Sequence, residues 1–257
     1  MTPELSVVVV SWNTREMVRA CLAALPDAAG ARRLETIVVD NASDDGTLAM
    51  VEADFPDVRR IASPRNVGFA RAANAGLRAA TAPLRLLLNS DTVAAPGALA
   101  RLAALLDARP DAVAAGPLLV GSDGRLQPNW ARFPTAASEW RGRLDRGQAP
   151  VPETALDDPA GRAACPPFAV DWLGGACLMV RASALPAAGL LDERFFFFGE
   201  DVLWCRALGR CGAILCDPGA VVLHLGGGSR RRVPAAARRW LWWAAVRVFF
   251  ALYGPLG

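Results

Sequence analysis

The stretch LRLLL at residues 84–88 is followed at once by NSDT at residues 89–92. A short apolar run bounded by polar residues is typical of a buried strand in a parallel sheet. In open α/β sheets, ligands bind just beyond the carboxyl ends of the strands. Asp91 stands at that point, so we expect its carboxylate to face a bound cation or a diphosphate.

Strand-like and helix-like segments alternate through the first 116 residues. Short apolar runs predict strands at residues 5–10, 34–39, 58–61 and 84–88. Segments typical of helices follow the first three runs, at residues 14–25, 45–54 and 66–80. This alternation predicts an α/β fold with a mostly parallel, Rossmann-like central sheet and helices on both faces.

The composition excludes several kinds of site. The 257 residues include no lysine, which rules out a P-loop lysine or a Schiff-base lysine. The six cysteines lack C-x-x-C spacing and the chain has one histidine, which argues against a zinc cluster. We interpret the cysteines as reduced thiols of a cytosolic protein. We expect no signal peptide, because the first apolar run is short and lacks a basic flank, and no nucleic-acid partner.

Candidate binding residues follow the predicted strands of the first half. They are Ser11, Trp12, Asn13, Asp40, Asn66, Asn89 and Asp91. Because the carboxyl ends of parallel strands meet at one edge of a sheet, these residues predict a crevice for a nucleotide. Asp40 can accept hydrogen bonds from a base, and helix starts after Asn13 and Asn66 can bind phosphate. The alternative is that Asn13, Asp40 and Asn66 only cap helices and form turns.

The second half of the chain carries fewer patterns. Residues 121–167 predict a long loop, rich in Pro, Gly, Arg and Asp. The run FFFF at residues 195–198 is read either as an apolar wall under a bound sugar or as core. Trp172 and the small residues 174–176 can let a ligand approach the backbone closely.

Taken together, these motifs resemble family 2 glycosyltransferases, and most closely their bacterial rhamnosyltransferase-like branch. The matching stretches are SVVVVSWN at 6–13, VVDNAS at 38–43, NVGFA at 66–70, LLNSDT at 87–92, DERFF at 192–196, GED at 199–201 and HLGGGS at 224–229. The resemblance implies a GT-A fold, a nucleotide-sugar donor (dTDP-, UDP- or GDP-linked), a divalent cation (Mg²⁺ or Mn²⁺) and inversion at the anomeric carbon.

The resemblance also implies the ligands of the cation. In the family, an Asp-x-Asp motif holds the metal; here it reads Asn89-Ser90-Asp91, so Asp91 alone supplies a carboxylate. Asn89 is then expected to contact ribose or diphosphate. His224 is expected to complete the site, although the branch often has a second histidine where this chain has Leu225. Without the resemblance, a lone histidine is more often an ordinary surface or core residue.

The same resemblance implies that Asp201 is the catalytic base and that Glu200 orients it or the acceptor. The positive end of a helix dipole would keep such a carboxylate ionised. The alternative is two ordinary carboxylates in a first helical turn. The branch usually has a further Asp two residues after Asp201, where this chain has Leu203.

The C-terminal segment, residues 230–257, is rich in Arg and Trp. Its apolar stretch from Trp240 to Tyr253 is too short to span a bilayer and contains Arg247. Such an amphipathic helix predicts contact with the anionic inner face of the cytoplasmic membrane. The alternative is a terminal helix that packs on the body or on a second copy in a homodimer.

We therefore predict one GT-A domain at residues 1–229, with a nucleotide-sugar-binding half at 1–116 and an acceptor-binding half at 117–229. The predicted reaction moves L-rhamnose from a dTDP donor to a glycan or lipid-linked acceptor in surface polysaccharide synthesis. Two alternatives are a sugar-nucleotide nucleotidyltransferase and a non-catalytic, membrane-associated nucleotide-sugar-binding module. The stretch after the first strand lacks the Gly-rich loop that the former needs.

Overall fold

A ten-stranded sheet forms the centre of the protein. The computed structural model describes residues 2–127, 129–133, 135, 158–226 and 235–253. The strands are β1 (Leu5–Ser11), β2 (Leu34–Asp40), β3 (Arg59–Ala62), β4 (Leu84–Asn89), β5 (Thr92–Ala94), β6 (Ala112–Val120), β7 (Leu126–Gln127), β8 (Trp130–Ala131), β9 (Phe168–Ala169), β10 (Trp172–Leu173), β11 (Cys177–Arg181) and β12 (Ala213–His224). The helices are α1 (Arg15–Ala29), α2 (Thr47–Asp54), α3 (Phe69–Ala79), α4 (Ala98–Ala108), α5 (Pro159–Ala164), α6 (Leu185–Ala188), α7 (Glu200–Leu208) and α8 (Ala235–Tyr253), with a 3₁₀ turn at Ala182–Ala184.

The first four strands form a parallel group in the order β3–β2–β1–β4. Side chains along β1 alternate between two hydrophobic clusters. Val7 and Val9 pack with residues of α1, α2 and α4, whereas Val8 and Val10 pack with residues of α3 and α7. Both faces of β1 are therefore covered by helices, which explains why its central residues 7–10 are all valine.

The remaining strands extend the same sheet in the order β4–β11–β6–β12–β5. β11 runs antiparallel to β4 and β6, and β5 runs antiparallel to β12, whereas β6 and β12 are parallel. Six of these eight strands therefore point the same way. The predicted α/β fold with a mostly parallel sheet and helices on both faces is confirmed. The predicted division between the halves, after residue 116, falls inside β6.

The described parts of the predicted loop at 121–167 contain short regular elements. β7 pairs with β6, and β8 forms a separate two-stranded sheet with β10. Residues 136–157 lie outside the described residues. So do 227–234, which include the end of the HLGGGS motif and the arginines at 230–232.

Helix α8 has one buried and one exposed side. Val246 is 5% exposed, and Val248 and Phe250 pack against the core. Trp240 and Trp243 are 69% and 48% exposed, and Arg239 and Arg247 are exposed as well. The helix thus presents aromatic and cationic side chains on its outer side. Among the described residues, no helix combines the length and apolarity that crossing a bilayer requires.

Candidate active site

A cleft of about 850 Å³ opens at the edge of the sheet where β1, β4 and β12 end. Four of the predicted donor-binding residues line it: Trp12, Asn66, Asn89 and Asp91. The predicted metal ligand His224 and the predicted catalytic pair Glu200 and Asp201 line it too. The topology therefore brings together groups that lie more than 100 residues apart in the sequence.

The turn after β4 places Asp91 beside His224. β5 starts at Thr92 and pairs antiparallel with the end of β12, so that Thr92 lies level with His224. The backbone N–H of Leu225 donates to the backbone carbonyl of Asp91 at 2.9 Å. His224 Nε2 and Asp91 Oδ1 are then 3.4 Å apart.

This pair fits a divalent cation. A carboxylate oxygen and an imidazole nitrogen are ligands that Mn²⁺ accepts, and both face the same cleft. No group of three His, Cys, Asp or Glu side chains suited to a metal ion exists within the described ranges. In such a site Asp91 and His224 would be two of the ligands, and diphosphate oxygens and water could supply others.

Ser90 belongs to a buried chain of hydroxyl groups behind this turn. Thr14 Oγ1 lies 2.9 Å from Ser90 Oγ and 3.0 Å from Ser11 Oγ. The backbone N–H of Asn89 donates to the carbonyl of Ala176 at 2.9 Å. Ser11 thus lies below the cleft and supports the turn that carries Asn89 and Asp91.

Asn13 and Asp40 also lie outside the lining of the cleft. Asn13 has a φ of 54° and stands before α1, where its Oδ1 accepts from the N–H of Asp44 at 2.8 Å. Asp40 is 2% exposed, and its Oδ2 accepts from the N–H of Ser43 at 2.9 Å. Its buried Oδ1 has no hydrogen-bond partner among the described residues. Both side chains therefore hold the loops after β1 and β2, as in the alternative interpretation of turn-forming residues.

Asn41, next to Asp40 in the VVDNAS motif, also lines the cleft. Its Nδ2 donates to Asn66 Oδ1 at 2.9 Å, and its Oδ1 accepts from the N–H of Val67 at 2.9 Å. These bonds tie the end of β2 to the start of α3. The motif contained the signal, because a buried Asn after a strand commonly bonds the backbone of a neighbouring loop.

Glu200 and Asp201 start helix α7, after Gly199 with its φ of 90°. Asp201 Oδ2 accepts from the N–H of Gly175 at 3.0 Å, and Oδ1 accepts from the N–H of Val202 at 2.9 Å. Burial raises the pKa of the Asp201 carboxyl, and these two N–H groups oppose the rise. The backbone therefore supports a negative charge on Asp201.

The surroundings of Glu200 differ from those of Asp201. It is 6% exposed, and its buried Oε2 has no hydrogen-bond partner within the described part of the chain. Burial, and next the adjacent charge of Asp201, raise the pKa of the Glu200 carboxyl to about 8. The pair therefore favours a proton on Glu200 and the negative charge on Asp201.

The FFFF run divides between core and cleft. Phe195 belongs to the hydrophobic core, whereas Phe196, Phe197 and Phe198 line the cleft next to Glu200. The carbonyl of Phe196 accepts from the N–H of Phe69 at 2.8 Å. A Cβ on Gly68 would lie 2.7 Å from that carbonyl, so the close contact between the two segments requires glycine.

Gln127 lines the cleft as well, and no motif pointed to it. Its amide bonds both the ring and the backbone of His224. Neither the composition of β7 nor its spacing from other motifs contains a signal for this contact.

Comparisons with known proteins place the chain among glycosyltransferases. The family model described as Glycosyl transferase family 2 matches residues 6–166. The N-acetylglucosaminyl-diphospho-decaprenol L-rhamnosyltransferase of Mycobacterium tuberculosis is 31% identical over 270 residues, which cover 92% of this chain and 80% of the relative.

Two solved structures share the fold. S. aureus TarS superposes with a TM-score of 0.59 at 19% identity, over 86% of this chain and 36% of its own. The mannosyltransferase PcManGT from Pyrobaculum calidifontis, in complex with GDP-Man and Mn²⁺, superposes with a TM-score of 0.59 at 18% identity. That match covers 93% of this chain and 60% of PcManGT. The chain thus spans about a third and three fifths of these two structures.

The matched domain covers more than half of the chain, and the mycobacterial relative matches nearly all of it. These matches confirm the predicted family, and the solved structures confirm the predicted GT-A fold. The protein belongs to glycosyltransferase family 2 and is a rhamnosyltransferase-like glycosyltransferase.

Proposed function

We propose that this enzyme transfers L-rhamnose from dTDP-rhamnose to a lipid-linked glycan acceptor, with inversion and with the help of a divalent cation. The proposal rests on one observation: two pairs of side chains, Asp91 with His224 and Glu200 with Asp201, line the same cleft. The mycobacterial relative, an N-acetylglucosaminyl-diphospho-decaprenol L-rhamnosyltransferase, supports the choice of sugar and of a lipid-linked acceptor. Residues 1–229 would form the catalytic domain.

Asp201 would act as the base. Its carboxylate takes the proton of the acceptor hydroxyl while the hydroxyl oxygen forms a bond to the anomeric carbon. The bond from that carbon to the diphosphate oxygen breaks at the same time, and the nucleoside diphosphate leaves. Attack opposite to the leaving group inverts the configuration. Burial helps Asp201 in this role, because a raised pKa makes its carboxylate a stronger base.

The opposite side of the cleft would hold the donor. Trp12, Asn66 and Asn89 line this part of the cleft. In this proposal Trp12 and Asn66 would contact the nucleoside, and Asn89 would contact the ribose or the diphosphate. Asp91 and His224 would hold Mg²⁺ or Mn²⁺, which would stabilise the charge that develops on the diphosphate. The complex of PcManGT with GDP-Man and Mn²⁺ supports this use of a cation.

Helix α8 would attach the enzyme to the inner face of the cytoplasmic membrane. Exposed Trp240 and Trp243 suit the level of the lipid headgroups, and Arg239 and Arg247 suit anionic lipids. A lipid-linked acceptor would then diffuse in the surface to which the enzyme is bound. The alternative occupant of this surface is a second copy of the chain.

The transfer is tested with a panel of dTDP-, UDP- and GDP-sugars, Mn²⁺ or Mg²⁺, and a polyprenyl diphosphate-linked N-acetylglucosamine acceptor. We expect release of dTDP from dTDP-rhamnose that depends on both acceptor and cation. NMR of the product should show an anomeric configuration opposite to that of the donor. Full activity in EDTA would contradict the cation, and retention of configuration would contradict the direct displacement.

Membrane attachment is tested by sedimentation with phosphatidylglycerol vesicles. We expect the double variant Trp240→Ser, Trp243→Ser to lose most of the binding, because both side chains leave the interface. Arg109→Gln, which changes an exposed arginine in the loop after α4, is the matched control and should bind normally. Equal binding by all three proteins would contradict this role of α8, and a concentration-dependent dimer lost in the double variant would indicate the second copy instead.

A further inference from the structure

The side chain of Gln127 contacts His224 at two points. Gln127 Nε2 donates to the backbone carbonyl of His224 at 3.1 Å, and Gln127 Oε1 lies 2.8 Å from His224 Nδ1. The first bond fixes the orientation of the amide, because only its nitrogen can donate to a carbonyl. The oxygen of the amide is therefore the atom that faces the ring.

This orientation determines which ring nitrogen carries the hydrogen in the neutral ring. An amide oxygen can only accept, so Nδ1 must donate. The lone pair of the neutral ring then lies on Nε2, which is the nitrogen 3.4 Å from Asp91 Oδ1. A lone pair and a carboxylate oxygen that converge in this way repel each other unless a proton or a metal cation lies between them.

The fold holds Gln127 in place for this contact. β7 pairs antiparallel with β6, with Gln127 level with Leu119, and β6 in turn pairs with β12. The intervening turn closes through the N–H of Gly121, which donates to the carbonyl of Arg125 at 2.8 Å. A Cβ on Gly121 would lie 2.9 Å from Gln127 Nε2, so this glycine leaves room for the amide.

We propose that Gln127 is a positioning residue that holds His224 with its hydrogen on Nδ1, so that Nε2 and Asp91 are ready to bind the cation. The inference rests on the cation site proposed above. In metal sites, a partner that binds the second nitrogen of a ligating histidine sets the orientation of the ring, and its loss costs about 10- to 100-fold in metal affinity. Gln127 occupies that place here.

The tautomer is tested directly, because His224 is the single histidine of the chain. Nitrogen-15 NMR of the untagged enzyme, in a buffer alkaline enough for a neutral ring, distinguishes the two nitrogens without a metal. We expect the hydrogen on Nδ1 in the unsubstituted enzyme and a mixture of both tautomers in Gln127→Leu. A hydrogen on Nε2 in the unsubstituted enzyme overturns the proposal.

Binding of Mn²⁺ alone, followed by the EPR signal of the free ion, is the second readout. We expect Gln127→Leu to bind Mn²⁺ about 10- to 100-fold more weakly than the unsubstituted enzyme. Gln127→Glu should bind more tightly than Gln127→Leu, because it keeps an oxygen that accepts from Nδ1. Arg125→Ala, in the same hairpin, is the control and should bind normally. Equal binding by Gln127→Leu and the unsubstituted enzyme overturns the role of Gln127 alone. No Mn²⁺ binding by the unsubstituted enzyme, even with the hydrogen on Nδ1, overturns the cation site and the role of Gln127 in it.

Discussion

The polar side chains on the two walls of the cleft differ in their hydrogen bonding and burial. One wall, formed by the ends of β1, β4 and β12, is proposed to bind the donor and is called the donor wall; there His224 is hydrogen-bonded to Gln127 and lies against Asp91. The other, formed by residues 174–176 and 196–201, is proposed to bind the acceptor and is called the acceptor wall. On it, Asp201 accepts two N–H bonds while Glu200 is buried with one oxygen lacking a partner among the described residues. The ring of His224 is held by a hydrogen bond to Gln127, whereas Glu200 is a carboxyl group that is costly to ionise.

This difference matches the tasks that we propose for the two walls. A group that holds a ligand works best when neighbouring bonds fix its geometry in advance. A group that must take a proton works best when burial shifts its pKa toward the working pH. Changes on the donor wall should therefore affect binding, and changes on the acceptor wall should affect turnover.

The largest effect is expected from Asp201→Asn. Asparagine keeps the volume and an oxygen for the N–H of Gly175, but it cannot take the acceptor proton. We expect kcat to fall by about 10²- to 10⁴-fold while donor affinity stays the same. Rates of nucleotide release and titration of the donor separate the two quantities. Asp111→Asn, at an exposed carboxylate, is the control, and near-normal turnover of Asp201→Asn would contradict the role of base.

His224→Ala, on the donor wall, should weaken cation binding more than it lowers kcat. Loss of one of two protein ligands should raise the Mn²⁺ concentration needed for half-maximal activity by about 10- to 100-fold, with a smaller change in kcat at saturating Mn²⁺. Activity measured over a range of Mn²⁺ concentrations gives both values. If the cation requirement stays the same, His224 is not a ligand and the comparison of the two walls fails on the donor side.

A smaller effect, on stability, is expected from Glu200→Gln. The pKa of Glu200 rises from an ordinary 4.5 to about 8 in the folded protein, so between these values the folded state binds more protons than the unfolded state. Its contribution to stability is complete below the lower value and is lost as the pH rises, by up to about 1.4 kcal/mol per pH unit. Glutamine lacks this loss, so the variant should gain stability relative to the unsubstituted enzyme by about 1.4 kcal/mol from pH 6 to pH 7.

Urea unfolding at the two pH values measures that gain. Glu52→Gln, at an exposed glutamate, should show a difference from the unsubstituted enzyme that does not change with pH. If Glu200→Gln behaves in the same way, Glu200 is ionised as an ordinary carboxylate and the two walls are electrostatically alike.

Much of the fold could be predicted because its signals are local. The apolar runs predicted the four parallel strands, and the polar residues that follow those strands predicted the edge of the sheet at which the cleft lies. The direction of β11 could not be predicted from its residues, since a strand buried on both faces looks the same whichever way it runs. Its position between β4 and β6 depends on pairing with partners far away in the sequence.

The residues of the site also differ in whether a local sequence signal could predict them. Asp91, His224, Glu200 and Asp201 belong to motifs, and the structure places all four in one cleft. Gln127 belongs to no motif, because its contact with His224 depends on the pairing of β7, β6 and β12. Asp40 follows a strand, as expected of a nucleotide contact, and its Oδ2 accepts from the N–H of Ser43 in the loop after β2.

The antiparallel strand β11 has a consequence for how the protein is made. β4 is completed at Asn89, yet its outer edge pairs with residues 177–181, so almost ninety residues must leave the ribosome before that edge is covered. During this interval the growing chain carries an apolar strand with open backbone groups, a template for aggregation. The order of synthesis therefore leaves this edge of β4 open until β11 has been made.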